Sequence, residues 1–376
     1  MNNIGVAVVG DVLDINTWSN TPFFFYTEGE SRKLFNQPWR LNTDQFRIPR
    51  VLWNGAQVLR GKGAGGYQYS EAFLNRAEAA IPAEYFSSTV ITFNQLFPRA
   101  DSIKSHGGRL FYYIDVTLHE LFRATSYGVN VPSDIKNKAI ALEKRNYENA
   151  AAIVCMAAWI RESLLEVYKL PAEKIFVIMP GANLPSTVTV QQQVLTPGAG
   201  ITRDLVLGFV GKDWKRKGLP VLIEARDLLE QAGYRSVIKV IGNAPPELAR
   251  SKGVIFSGFI DKGKDHKHFV DEISSCDFGC LFSSSEALGI SVLEFLRVGV
   301  PVAGYAHQGS LDTLLPQASI RFHPDEGAKA IADRLAAVIS NEVEMHRLKT
   351  EAVKASSSVS WQRAVSEWSN LLNRIQ

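Results

Sequence analysis

Two stretches in the second half of the chain combine residue types that could hold a phosphorylated sugar. The first is GKDWKRKG, residues 211–218, directly after the apolar run LVLGFVG. Lys212, Lys215, Arg216 and Lys217 place four cations within six residues. Such a cluster is ordinarily a solvated basic loop. Here it stands at the carboxyl end of a strand-like run and just before a helical pattern. At that place a phosphate meets cations and helix N-terminal amides together. The second stretch is SSSEALGISVLEFLRVGVP, residues 283–301. A strand ends, serines and Glu286 form a loop, and Gly289 lets the backbone approach a ligand before a helix begins. Glu294 lies on that helix, five residues past Gly289, so its carboxylate can face back toward the loop. Gly299 ends the helix and Pro301 opens the next strand. Alone, two glutamates so spaced among 38 acidic residues would be surface acids. In a strand-to-helix crevice, a carboxylate suits the two hydroxyls of a ribose or sugar. The amides of Gly289, Ile290 and Ser291 suit a diphosphate.

Positioning these residues takes strands alternating with helices, the pattern of parallel sheets covered on both faces. In the first half the strand-like runs are IGVAVVG (4–10), RVLW (50–53), TVITF (89–93), RLFYYI (109–114), AAIVC (151–155) and KIFVIM (174–179). Helical patterns at 70–81 and 136–150 lie between them. The second half restarts with runs at 205–211, 236–242, 254–260, 278–283 and 300–306. Helices are expected from near Leu219, His268, Ile290 and Glu326. The segment 360–375 reads as an amphipathic helix with Trp361, Val365, Trp368, Leu371 and Leu372 on one side. The charge-free tract PSTVTVQQQVLTPGAGIT, from Pro185 to Thr202, reads as a linker. The expected organisation is therefore α/β: a first domain over 1–184, a linker over 185–203, and a second domain over 204–359. Two doubly wound domains of this kind would face one another across a cleft, where α/β proteins bind ligands.

Composition bounds what else the chain could be. At 376 residues, 46% hydrophobic and 21% charged, it is long enough for two ordinary globular domains without a stapling metal or disulfide. Lys+Arg 41 against Asp+Glu 38 leaves +3, too little for a general nucleic-acid coat. Cys155, Cys276 and Cys280 form no CxxC pair and read as packed small hydrophobes, which fits a reducing cytosol. The start MNNIGVAVVGDVLD lacks a positive n-region and reads as a first strand. No apolar run is long enough to span a membrane.

Taken together, these pieces resemble the retaining glycosyltransferases of GT-B fold, family 4 (glycosyltransferase group 1). The resemblance covers the whole chain and is most specific over 205–315. In that family a GR or GK followed by KG holds the donor diphosphate; Gly211, Lys212 and Lys217 occupy those places. The family's E-x7-E motif appears as Glu286–Glu294, with Leu288 where Phe is usual. The resemblance implies that Glu286 faces the donor sugar and Glu294 grips the nucleotide ribose. AHQGSLDTL matches the family's small-Gly-acid loop through Gly309 and Asp312. In the first half WSNTP (18–22) looks like the WSGTP loop of one bacterial branch, with Asn20 where Gly is usual and Thr21 beside it. YYIDVTLHEL (112–121) resembles the strand end that carries a His or Asp near the transferred sugar, here His119 or Asp115. Gly181, Ala182 and Asn183 resemble the GaN turn, and the last helix resembles one that crosses back to the first domain, which implies that 360–376 completes the domain over 1–184.

The resemblance implies sugar transfer from a nucleotide-diphosphate-sugar donor to a hydroxyl acceptor, with no cofactor and no bound metal. The acceptor would be a glycan, a lipid-linked molecule or a small molecule, as in bacterial polysaccharide or glycoconjugate synthesis. A cytoplasmic protein is implied, at the inner membrane face if the acceptor is lipid-linked. Two other readings share the nucleotide site: a GT-B sugar-nucleotide epimerase, and a non-catalytic nucleotide- or sugar-binding relative. GKGAGG (61–66) formally satisfies G-x-G-x-x-G, but TFNQ ends the next strand without the acid a dinucleotide site needs, so a loop near the acceptor is the better reading. His266 and His268 in DKGKDHKHF read as a solvated loop, and FFFY (23–26) as core packing.

Overall fold

A computed structural model describes residues 3–124, 130–188, 190 and 204–375. The chain divides into two compact units: residues 1–179 with 365–376, and residues 180–364. Most of the linker-like tract, residue 189 and residues 191–203, lies outside the described residues.

The first unit is a six-stranded parallel sheet. Its strands are β1 (Ile4–Ala7), β2 (Gln37–Pro38), β3 (Thr89–Thr92), β4 (Arg109–Ile114), β5 (Ala152–Cys155) and β6 (Ile175–Val177), in the order β2-β1-β3-β4-β5-β6. β3 and β5 are buried along their whole length, which is why they read as continuous apolar runs rather than alternating ones. The aromatic core gathers on Trp368 of the last helix, Trp361–Arg374. Its ring lies 5.1 Å from Tyr113 and 5.7 Å from Phe25. Phe24, Phe25 and Tyr26 are buried, so FFFY packs the core.

The second unit repeats the plan. Its strands are β7 (Leu205–Gly211), β8 (Ser236–Gly242), β9 (Val254–Gly258), β10 (Phe278–Leu281), β11 (Val302–Tyr305) and β12 (Ser319–Phe322). They form a parallel sheet in the order β12-β11-β10-β7-β8-β9. The chain winds from β7 outward to β9, then returns to the other side of β7 to begin β10. The loops leaving β7 and β10 therefore diverge at the switch point of the sheet, the ligand crevice of doubly wound folds. Gly279 in β10 fixes how close the following helix lies: a Cβ there would fall 2.2 Å from the Phe295 ring.

Several elements differ from the sequence reading. RVLW is not a strand but part of a 13-residue helix, Arg47–Leu59. A run of four residues carries no period of its own, and the flanking residues decide the element. GKGAGG thus follows a helix, and the second strand is the two-residue Gln37–Pro38, too short to leave a pattern. DKGKDHKHF is not a loop: Lys262–Ser274 is a helix capped by the Asp261 side chain, which accepts from Gly263 N. The helix expected from Glu326 runs Ala328–Ile339, and a further helix, Glu342–Ala355, follows it.

Candidate donor site at the switch point of the second sheet

Two short loops meet at this switch point, and a third clamps them. Ser284 N donates to Arg216 O at 2.9 Å, joining the β10 loop to the basic β7 loop. On the other side Glu286 N donates to Gln308 Oε1 at 2.9 Å and Gly309 N to Glu286 O at 3.1 Å. A His307 ring nitrogen lies 2.8 Å from Ser283 O. Backbone groups that a loop would otherwise leave to water are thus satisfied by neighbours, and Glu286 is fixed in place. Gly309 must be glycine: a Cβ would stand 1.7 Å from Ala287 O.

Glu286 is buried and accepts from Ser283 Oγ at 3.0 Å, with Arg216 Nη1 at 3.3 Å and Lys217 Nζ at 3.4 Å. Burial by itself raises a carboxyl pKa. Here the charges of Lys217 and Arg216 with the Ser283 hydroxyl outweigh it and hold Glu286 below its ordinary value. Glu286 is thus an ionised hydrogen-bond acceptor rather than a proton reservoir. Glu294 differs. It sits deeply buried on the helix Ile290–Arg297, and burial raises its pKa against the pull of its partner Lys262. Lys262 in turn lies 4.3 Å over the Phe269 ring. The helix starts at Gly289, whose φ of +85° is the left-handed conformation glycine supplies without strain. Leu288 is buried beside it, and Ser291 Oγ, in the first turn, is buried without a hydrogen-bond partner among the described residues. Ile290 opens the helix, so amides of Gly289, Ile290 and Ser291 lie at its N-terminus, where an anion is favoured.

The expected residues fall into groups. Lys217, Glu286, Leu288, Gly289, Ile290, Ser291 and Glu294 lie on the two loops and the helix of this one crevice. Gly211 ends β7 against Lys217; a Cβ on it would be 2.3 Å from Lys217 Cδ. Lys212 stands apart from Glu286: it is exposed, with Nζ 4.6 Å over the Phe259 ring. Among the described residues no group of three or more His, Cys, Asp or Glu could hold a metal, and His266 and His268 are exposed on their helix. All three cysteines are buried and free; burial pushes Cys276 up to about 12, and Cys155 and Cys280 higher still.

The remaining candidates belong to the first unit. Asn20 (φ 72°) closes a run of three left-handed residues, Trp18–Asn20, and its Nδ2 donates to Ile15 O. Asn is the side chain that tolerates this conformation best after Gly, which explains how it stands at a glycine position. Thr21, buried, starts the helix Thr21–Ser31. Asp115 follows β4, and His119 lies in the first turn of the helix Leu118–Ala124, Nδ1 3.1 Å from Glu120 Oε1.

Sequence reasoning missed Lys262, Ser283, Gln308 and a buried acid at the start of the helix that carries His119. Glu143 is fully buried; it accepts from Leu118 N at 2.9 Å, Tyr147 Oη at 2.8 Å and Tyr168 Oη. Burial pushes it up to about 8 despite those donors. Tyr168 Oη also accepts from His119 N at 3.2 Å. Glu143 stands in the charged helical pattern at 136–150, and the Tyr four residues on is the local signal of its burial.

A family model described as glycosyl transferases group 1 matches residues 197–355, the β7 and β10 loops included. A probable transglycosylase of Burkholderia thailandensis is 30% identical over 202 residues, 53% of this chain and 53% of the relative. The chain thus spans about half the length of the curated relative it matches. Among solved structures, sucrose-phosphate synthase from Thermosynechococcus elongatus superposes with a TM-score of 0.65 at 14% identity, over 100% of this chain and 99% of that one. WaaG, a glycosyltransferase involved in lipopolysaccharide biosynthesis, gives 0.64 at 13%, over 98% and 99%. Anabaena HepE in complex with UDP and glucose gives 0.62 at 14%, over 99% of both chains. These likenesses bear on the fold, and the fold shared is GT-B.

Proposed function

We propose that this chain, whose residues 197–355 match a family model of glycosyl transferases group 1, is a glycosyltransferase. It moves a sugar from a nucleotide-diphosphate donor to a hydroxyl acceptor with retained anomeric configuration. The observation that carries this reading is the ionised Glu286 held by Lys217, Arg216 and Ser283 beside a helix N-terminus. Breaking the bond between the anomeric carbon and the phosphate oxygen leaves negative charge on the diphosphate. Lys217, Arg216 and the amides of Gly289–Ser291 are the groups set to stabilise it. Glu286 accepts hydroxyls of the donor sugar, and Glu294 those of the ribose. With retention, the acceptor oxygen bonds the anomeric carbon on the face the phosphate leaves, and the departing phosphate takes the acceptor's proton. An epimerase would need acid and base groups near neutral pKa at the sugar, and the depressed Glu286 is poorly suited to that work. In the first unit, His119 or Asp115 is the residue offered to the transferred sugar.

The full chain is assayed for release of nucleoside diphosphate from UDP-, GDP- and ADP-sugars; HepE's complex with UDP makes UDP-sugars the first to try. Lys217→Ala is expected to lower kcat about 10²–10³-fold, the usual loss of one charge-stabilising donor. Glu294→Ala is expected chiefly to raise KM. Full activity in both variants would sink the site assignment, and NMR of the product anomer tests retention.

A further inference from the structure

The helix Arg47–Leu59 is built inside out. Its apolar residues recur at Ile48, Val51, Leu52, Val58 and Leu59, the spacing of a single helix face. That face points to solvent: Ile48 is 72% exposed, Val51 63%, Leu52 69%, Val58 56% and Leu59 91%. The opposite side is the one that packs. Gln57 is buried there, and Trp53 lies 6.0 Å from the Tyr67 ring. A soluble surface helix normally turns its aliphatic stripe inward, so five exposed aliphatic side chains on one face mark an unfilled contact.

The charges on and just after this helix say what fills the contact. Arg47, Arg50, Arg60 and Lys62 are all exposed, and no acid occurs from Gln45 through Ser70. Lys62 reaches Asp134 at 2.6 Å; Arg47, Arg50 and Arg60 have no ion pair among the described residues. The exposed loop that follows stays anchored to the helix, with Lys62 N donating to Gln57 O at 2.9 Å. A second copy of the chain is a poor occupant, because a two-fold contact sets the same patch against itself, three unpaired arginines facing three. An anionic bilayer satisfies both features. Its headgroups neutralise the arginines, and its acyl region takes a helix of about 20 Å lying in the interface plane.

We propose that Arg47–Leu59 is a membrane-surface helix that docks the first unit on anionic lipid. The docking does not depend on the transfer reaction proposed above, because no residue of this helix belongs to that site.

The test is co-sedimentation of the full chain with vesicles of phosphatidylcholine alone or mixed with phosphatidylglycerol. Binding to the mixed vesicles only, weakened by salt, is the expected result. The double variant Leu52→Ser/Leu59→Ser removes exposed side chains and is expected to stay folded. It should partition about tenfold more weakly or worse, and Arg47→Gln/Arg50→Gln by a similar factor. Equal binding of wild type and the serine variant overturns the proposal, as does binding that ignores lipid charge or no binding at all. A wild-type dimer that the serine variant dissolves, seen by analytical ultracentrifugation, overturns it in favour of a second copy.

Discussion

At the scale of single residues, the two glutamates of the E-x7-E spacing are pushed in opposite directions. Glu286 has its pKa lowered, so its ionised form contributes stability above the unfolded carboxylate pKa, and that contribution is lost as pH falls. Glu286→Gln is therefore expected to lower the melting temperature at neutral pH, with the gap to wild type closing below about pH 4. A constant gap across an acid titration would contradict the ion cluster. Glu294 has its pKa raised, so its ionised form is tolerated only because Lys262 stands against it. Lys262→Met leaves a buried carboxylate unpaired and is expected to cost roughly 3–5 kcal/mol in urea unfolding at neutral pH. Adding Glu294→Gln should recover most of that loss. The glutamates and Lys217 were legible because their spacing sits at strand ends. Lys262 and Gln308 were not, since each meets its partner 32 and 22 residues away with nothing local to mark it.

At the scale of elements, strands buried on both faces announced themselves and short or mixed ones did not. TVIT and RLFYYI lie fully inside a parallel sheet, so their apolar runs were unambiguous. RVLW failed because its aliphatic residues face water in a helix, the reverse of the pattern a sequence reader trusts. The loop clamp around Glu286 was legible only as a glycine and an acid at the right offset. Its demands are steric. Gly309→Ala would press a methyl onto Ala287 O and is expected to cost about 1–3 kcal/mol and abolish the thermal stabilisation given by nucleoside diphosphate. Gly289→Ala would bring a methyl to 3.1 Å from Leu281 Cδ2 and 3.2 Å from Thr313 Oγ1, so tight crowding adds to the left-handed backbone penalty of about 1–2 kcal/mol. A Gly309→Ala protein that melts and binds like wild type would show that the clamp is not what holds Glu286.

At the scale of the whole molecule, the alternation of strands and helices was enough to read two doubly wound units. Their edges were less legible. The units meet in sequence at 179/180 and again at 364/365, the second junction falling inside the last helix. A helix shows no break in its period where its packing partners change, so no sequence signal marks that point. Trp368, fully buried against Tyr113 and Phe25, belongs to the first unit's core. Trp368→Ala is expected to destabilise that unit by about 3–5 kcal/mol, read by urea unfolding, while leaving the second unit's transition in place. The same tryptophan sets the timetable of biosynthesis. A ribosome adding about 5–20 residues per second needs roughly 10–40 seconds to make residues 180–364. Throughout that interval the earlier-made half waits with a hole in its aromatic core, so the half made later is the first that can finish folding, and chaperone demand should fall on the N-terminal segment.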